Sequence, residues 1–580
     1  MVNELQGGIA EFWEWRSTQY AQMYPEGQPF NTKAQFQKLL ENAMGPLRNQ
    51  RSIWIFAHNM DFDYQVMDFT GEMTSRGWRI TKTIMEAPPF MVSMTHGTNG
   101  NERTLRFVDS MNWFRMPLRD LAKPLGMHKM EDAGVDAPWE EREAYCRNDV
   151  AILREAIFAW IKFCKVHDLG MFAISQAAQA LGAFRHRFMK QEIFVNHDEK
   201  VATHERAAYI GSRTEARWMG HHRKAAHLDV NSLYPSVMRG GLYPTKLVAQ
   251  YEKGDLSTLY DALDRGMGCV ASVTLTTSEP WYPKKGERVI FPVGTFETTL
   301  CTPELKRARE YGHIVGVGRI QVYQMGEIFT EFVEYFYAQR IRYKEEGNDP
   351  FQLMCKIFLN SLYGKFGQMS PEWEEVTDPD ELVGLLADIP PNRGRWDTNE
   401  GTFRRVGDHV ERKVGRVEAY NAFCAIAAHV TSAARMVLLD GMLAAGMNEV
   451  YYVDTDSIFC SQEGKARMSD FIDPSKLGAW KDEGDVSEFF VYGAKDYVMD
   501  GVPRRKGVRA SATEWRLVTP LGEPSHFEQD MFRSYVGAMG AGHAGEQRVI
   551  TIRKHLSREY RKGIVTVSGK VLPIILDVGG

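Results

Sequence analysis

Apolar residues along this chain fall mostly in short runs bounded by polar turns, with a few longer stretches at helical spacing between them. Ser52-Ile-Trp-Ile-Phe-Ala57 predicts a strand, as do Lys224-Ala-Ala-His-Leu-Asp-Val230 and Gly268-Cys-Val-Ala-Ser-Val-Thr-Leu-Thr276. Val450-Tyr-Tyr-Val453 and Ile458-Phe-Cys460 flank the polar tip Asp454-Thr-Asp456, which predicts a hairpin. Helical patterns cover Val150 to Cys164, the short Ser236-Val-Met-Arg239, the stretch around Lys356 to Gly364, and an Ala-rich segment from Ala419 to Ala434 with Arg435 ending it. Strand-rich blocks interleaved with helices predict an α/β multidomain chain.

Three segments carry candidate chemistry. Asp229 stands where its strand ends, so its carboxylate can face a cleft while the sheet fixes its backbone. Asp454 and Asp456, two apart at a hairpin tip, repel each other unless a cation neutralises them. Magnesium suits such a set, since it takes a few carboxylates plus substrate phosphates. Between them, Lys356, Asn360 and Tyr363 recur at i, i+4 and i+7, one face of a helix. That face offers a cation for a triphosphate and an aromatic ring for a base. Gly364 lets a base pair or another backbone approach.

The order Asp229-Val-Asn-Ser-Leu-Tyr-Pro235, Lys356-Ile-Phe-Leu-Asn-Ser-Leu-Tyr-Gly364, Tyr452-Val-Asp-Thr-Asp-Ser457 resembles motifs A, B and C of family B DNA polymerases. The resemblance implies template-directed addition of dNTPs to a 3′-hydroxyl by two-metal phosphoryl transfer. It implies Asp229, Asp454 and Asp456 as the catalytic acids. Two Mg2+ ions, with Mn2+ as a substitute, would be held by Asp229, Asp456 and the backbone at Val230. It makes Tyr234 a gate against the ribose 2′-hydroxyl, Lys344 and Lys356 a triphosphate clamp with Asn360 beside it, and Tyr363 the residue under the nascent base pair. Ser232, Gly364 and Thr455 join the DNA-binding surface. Lys495-Asp-Tyr497 resembles the Lys-x-Tyr motif that holds the primer end, its two ends facing one way on a strand. Tyr209-Ile-Gly211-Ser212 resembles the Tyr-x-Gly-Gly/Ala linker between editing and synthesis, with Ser in a small-residue position.

Two gaps point to a branch of that family. Between Asp229 and Lys356 lies a strand-rich block, and between Lys356 and Asp454 a polar, turn-rich piece containing Pro390-Pro-Asn-Arg-Gly394. They resemble the two terminal-protein regions of protein-primed polymerases of phages and linear plasmids, which implies a priming terminal protein as partner beside primer-template DNA and dNTPs. The implied architecture is an RNase H-like exonuclease-type domain (1–168) followed by a right hand. In it, palm spans 169–240 and 416–524, fingers 334–369 and thumb 525–580, with insertions at 241–333 and 370–415. A self-priming relative and a 3′-5′ exonuclease without synthesis are the alternatives.

Editing residues are incompletely represented. Asn59-x-x-Phe62-Asp63 and Tyr145-x-x-x-Asp149 resemble the second and third exonuclease motifs, with Lys129 as an auxiliary lysine. The first motif, Asp-x-Glu, is not visible: before Asn59 the acids are Glu4, Glu11, Glu14, Glu26 and Glu41. Either the chain begins past that strand or the domain serves as scaffold and strand guide. Either way a weak or dead exonuclease is expected.

Composition adds little. Net charge is −5 over 580 residues, but 501–570 carries 13 Lys/Arg against 6 Asp/Glu, which suits an element gripping phosphates. Seven scattered cysteines without a C-x-x-C argue against a zinc ribbon or a disulfide framework. No secretory signal or membrane span is expected, so the setting is cytoplasmic, the host's if the gene is viral or mobile. A monomer is expected.

Overall fold

The computed structural model describes residues 52–85, 89–97, 102–131, 137–387, 395–398, 401–406, 409–509, 511–516, 525–532 and 549–577, with short segments at 8–10, 13–16, 19–22, 28–30, 34–36, 38 and 40. Glu4, Glu11, Glu26, Glu41 and the turn at 390–394 lie outside the described residues; Glu14 falls on a short strand, Trp13–Arg16.

The apolar run after Arg51 forms β1 (Ser52–Ala57), followed by α1 (Met60–Val66), β2 (Arg79–Met85), β3 (Phe90–His96) and β4 (Arg103–Asp109). Their sheet order is β1-β4-β3-β2, with β1 and β4 parallel and the other pairs antiparallel. Tyr64, Phe69, Phe90 and Phe107 close its core. The predicted helix at 150–164 is part of a longer α2 (Trp139–Val166), preceded by Pro138, whose missing N–H costs nothing at a helix start. Its buried stripe of Ile152, Ala156, Trp160 and Phe163 joins the core of the downstream helices, Trp160 meeting Phe358 edge-on at 5.7 Å. The expected boundary at 168/169 is therefore a break in topology but not in packing.

After α3 (Glu199–Ala208) come β5 (Thr214–Ala216), β6 (Gly220–Val230) and α4 (Leu233–Gly240). Next is a block of β7 (Tyr243–Tyr251), β8 (Gly268–Thr277), β9 (Val293–Cys301), α5 (Thr302–Glu310) and β10 (Ile314–Gly326). The four strands pair in the order β7-β10-β8-β9, in a sheet that a short strand of the C-terminal tail completes beside β9. A helical hairpin follows, α6 (Thr330–Glu345) and α7 (Asp349–Phe366), turning at Gly347 in left-handed backbone. Then β11 (Met369–Glu375), β12 (Arg395–Thr398), β13 (Gly401–Val406) and β14 (His409–Glu418) pair as β11-β14-β13-β12.

The Ala-rich segment becomes α8 (Cys424–Ala445), and here the sequence expectation needs correction. Arg435 does not end the helix; it sits mid-helix and fully buried, because Glu304 on α5 meets its guanidinium at 2.8 Å. Among the described residues α8 is the one helix long and apolar enough to cross a membrane, yet 78% of its most apolar window is buried inside the fold. It is apolar nearly all round because elements pack on all its sides.

Next come β15 (Val450–Asp454), β16 (Ser457–Cys460), β17 (Trp480–Gly493), β18 (Asp496–Met499) and β19 (Val502–Arg505). The central sheet runs β19-β18-β17-β6-β16-β15-β5. Last, β20 (Thr513–Arg516), β21 (His526–Phe532) and β22 (Val549–His555) form a three-stranded unit, which begins before the expected start at 525 because β20 pairs with β21. The tail then leaves that unit: Val571 N bonds Arg217 O at 2.8 Å, and β23 (Ile575–Leu576) lies parallel to β9.

Candidate active site

Strand register does the assembling. β6 is flanked by β16 and β17, which places Asp229 opposite Ser457 on one side and Lys481 on the other. Val230, itself fully buried, donates its N–H to Asp456 O at 2.8 Å, and Asp456 N closes the hairpin tip onto Asp454 O at 2.7 Å. Asp229 and Asp456 are thus brought side by side from sequence positions 227 apart. Burial lifts Asp229 to about 7, and the charge of Asp456 adds to the rise. Asp456 is raised too, by burial first and by Asp454 next. Lys356 opposes both shifts, so the α7 ammonium acts on both carboxylates. Asp454 is held differently: it pairs with Lys495 and accepts from Thr455 Oγ1 at 3.1 Å and Thr214 Oγ1 at 3.4 Å.

The backbone around these acids is strained. Ser232, Thr455 and Lys495 adopt left-handed conformations with φ of 58°, 67° and 64°, each costing about 1 kcal/mol or more for an L-residue. Each is held in place: Ser232 Oγ accepts from Arg340 Nη1 at 2.7 Å, Thr455 N donates to Arg213 O at 2.9 Å, and Lys495 N donates to Tyr452 Oη at 2.8 Å.

The helical hairpin supplies the facing wall. Lys356 and Asn360 stand exposed on α7, one turn apart. The cleft-side ring of Tyr363 stacks on Tyr234, centroids 4.7 Å apart at 23°. Burial, with Tyr234 next, pushes the Tyr363 phenol well above its usual range. Gly364 has open space where a side chain would project. Lys344 stands exposed in the last turn of α6, and the cation that reaches Ser232 is Arg340, one turn earlier. Sequence reasoning missed Arg340, although it lies at i−4 from Lys344 on the same helix face.

The Lys-x-Tyr reading needs correction in one respect. Lys495 is not on a strand beside Tyr497; it occupies the turn between β17 and β18, and its left-handed backbone directs it to Asp454. Tyr497 lies on β18 among Tyr452, Phe459 and Phe489. Asp496 between them faces Arg558 at 3.2 Å. The linker lies close by. Tyr209 caps α3 with Arg206 over its ring at 5.5 Å, Gly211 is exposed, and its carbonyl accepts from Arg435 at 3.0 Å. Ser212 Oγ shares a hydrogen bond with the Tyr234 hydroxyl.

In the N-terminal domain the editing-type residues separate into two groups. Lys129 meets Asp149 at 2.7 Å and lies 3.6 Å from the Tyr145 ring centroid. Asn59, in left-handed backbone, donates its N–H to Asp109 Oδ1 at 3.0 Å. Phe62 is 40% exposed on α1, while burial lifts the Asp63 carboxyl to about 7, with Asp109 adding to it. Asp109 is a further strand-end carboxylate, itself raised by burial. It was legible by the logic used for Asp229: an alternating run, Arg103 to Val108, ending in Asp.

Among the described residues no three of His, Cys, Asp and Glu form a complete metal cage. Asp229 and Asp456 do supply adjacent oxygen donors in a partly desolvated cleft, which fits magnesium, since that ion takes one or two carboxylates and completes its shell with water and phosphate.

The family model described as DNA polymerase type B, organellar and viral, matches residues 127–378. A DNA-directed DNA polymerase of Enterobacteria phage PRD1 is 24% identical over 458 residues, covering 77% of this chain and 73% of that one. Over that stretch the chain is similar to the type B DNA polymerases. A probable DNA polymerase of Neurospora intermedia is 24% identical over 61% of this chain, and the match spans only 37% of that longer protein. The fold is similar to that of Phi29 DNA polymerase, solved with primer-template DNA and incoming nucleotide, which superposes with a TM-score of 0.69 at 16% identity, covering 95% of this chain and 99% of that one.

Proposed function

We propose that this chain is a template-directed DNA polymerase of the protein-primed kind, adding dNTPs to a primer 3′-hydroxyl. The observation that carries the reading is the pairing of Asp229 with Asp456 by strand register, opposite a helix bearing Lys356. Two divalent ions, when bound there, activate the hydroxyl and neutralise the leaving pyrophosphate. Asp229 and Asp456, with the backbone at Val230, hold them. Lys356, Lys344 and Arg340, with Asn360 alongside, bind and orient the triphosphate. Tyr363 supports the base pair, and Gly364 leaves it room. Tyr234 excludes a ribose 2′-hydroxyl. Lys495 and Tyr497 hold the primer end, while Ser232, Thr455, Tyr209 and Gly211 shape the DNA path.

Protein priming is supported by the two inserted sheets, β7–β10 and β11–β14, neither of which pairs with the central sheet. They are the proposed seats of a priming protein and of downstream DNA, in a monomer. The test measures dNTP incorporation on a primed and an unprimed template, with and without a candidate priming protein. Incorporation on the primed template that needs magnesium is expected, and unprimed incorporation only with the priming protein. Unprimed synthesis by the chain alone would favour a self-priming enzyme, and no synthesis at all would remove the polymerase reading.

A further inference from the structure

The ring proposed as the sugar gate can reject a 2′-hydroxyl only if it stays where it is. Its base is set by α4, which starts from left-handed Ser232 under Arg340. One ring face is covered by Tyr363 at 4.7 Å. The phenol tip meets the Tyr363 hydroxyl and is also held by Ser212, which belongs to neither α4 nor the hairpin but to the linker leading out of the N-terminal domain.

That linker is itself fixed from both ends. On one side Arg435, buried and paired with Glu304 at 2.8 Å, donates to the carbonyls of Ile210 and Gly211. On the other side Arg213 O accepts from Thr455 N at the hairpin tip carrying Asp454 and Asp456. Ser212 therefore stands at a fixed offset from the carboxylates, and its hydroxyl transmits that offset to Tyr234. The first inserted block, through Glu304, takes part in the same chain of contacts.

We infer that Ser212 is a positioning residue for nucleotide selection: its hydroxyl pins the Tyr234 phenol, so discrimination against ribonucleotides is set by the linker together with the ring. This rests on the reading of Tyr234 as the gate of a polymerase. If the tip is released, the ring gains freedom to lean off Tyr363 and admit a 2′-hydroxyl, while the metal-binding carboxylates are untouched. A residue serving only as a small side chain at this place would tolerate alanine without change.

The experiment measures kcat and KM for a dNTP and the matching rNTP on a primed template. It compares the unmodified chain with Ser212→Ala, Ser212→Thr, Tyr234→Phe, the Ser212→Ala/Tyr234→Phe double variant and Tyr234→Val. Loss of one hydroxyl hydrogen bond should raise the rNTP-to-dNTP ratio of kcat/KM roughly three- to tenfold in Ser212→Ala, chiefly through a lower KM for the rNTP. Tyr234→Phe, which also gives up the contact with the Tyr363 hydroxyl, should raise the ratio at least as much, and the double variant no more than Tyr234→Phe, because the Ser212 bond is lost in both. Ser212→Thr, which keeps a hydroxyl, should restore the original ratio. An unchanged ratio in Ser212→Ala, or additive effects in the double variant, overturns the inference. If Tyr234→Val raises the ratio and Ser212→Ala does not, the inference fails alone. If Tyr234→Val leaves the ratio unchanged, the gate reading fails and takes the inference with it.

Discussion

The palm sheet and the N-terminal sheet use the same raw material to different effect. Both put aspartates at strand ends or on adjoining helices, and in both burial raises one carboxyl far above its usual range, Asp229 in one and Asp63 in the other, each to about 7. In the palm, β6 lies between β16 and β17, so Asp229 and Asp456 sit next to each other, while Lys495 pairs directly with Asp454 and acts on Asp456 only through its charge. In the N-terminal domain, Asp149 is neutralised by Lys129, and Asp109 spends an oxygen on the N–H groups of Asn59 and Met111. A carboxylate pair left short of cations can take up a metal; acids already satisfied by lysine and backbone donors have less to gain from one.

Breaking the palm pair should give the largest effect. Asp456→Asn removes the proposed metal ligand and its charge and should cost several kcal/mol of transition-state stabilisation, roughly a thousandfold in rate, while gel-shift affinity for primer-template DNA stays largely intact. Near-normal extension by that variant would dissolve the contrast between the two regions.

The next effect is a proton count. Asp229 is protonated below about 7 in the metal-free chain, and a metal ligand must be ionised. Calorimetric titration with magnesium should therefore release a proton at pH 6 and little at pH 8. Asp63→Asn should leave that release unchanged, since its carboxyl belongs to the other region.

A smaller effect is expected on stability. The Asp63 carboxyl is raised from 3.8 to about 7 in the fold, so the unfolded chain loses that proton first as pH rises. The stability linked to it is complete below about 3.8 and is lost as pH climbs through 7. Asp63→Asn should flatten the Tm-against-pH curve across that window; a curve of unaltered slope would show that Asp63 ionises normally.

The smallest expected effect is on degradation of a 3′-labelled single strand with magnesium. It should be slow and unaltered by Asp149→Ala, because Lys129 already occupies that carboxylate. Rapid degradation abolished by Asp149→Ala would place the two regions on an equal footing.

The sequence by itself determined the elements and the local chemistry. The alternation that ends in Asp229, the polar tip from Asp454 to Asp456, and the helical spacing of Lys356, Asn360 and Tyr363 are all readable within a dozen residues, because strand and helix periodicity are local properties. Tertiary structure decided who meets whom. Arg340 reaching Ser232, Glu304 burying Arg435 inside α8, Lys495 turning onto Asp454, and Ser212 touching Tyr234 depend on register and packing between segments tens to hundreds of residues apart. No periodicity encodes those partners. A buried arginine reads as a helix end, and a lysine in a left-handed turn reads as part of a strand, until the neighbour that neutralises or directs it is in place.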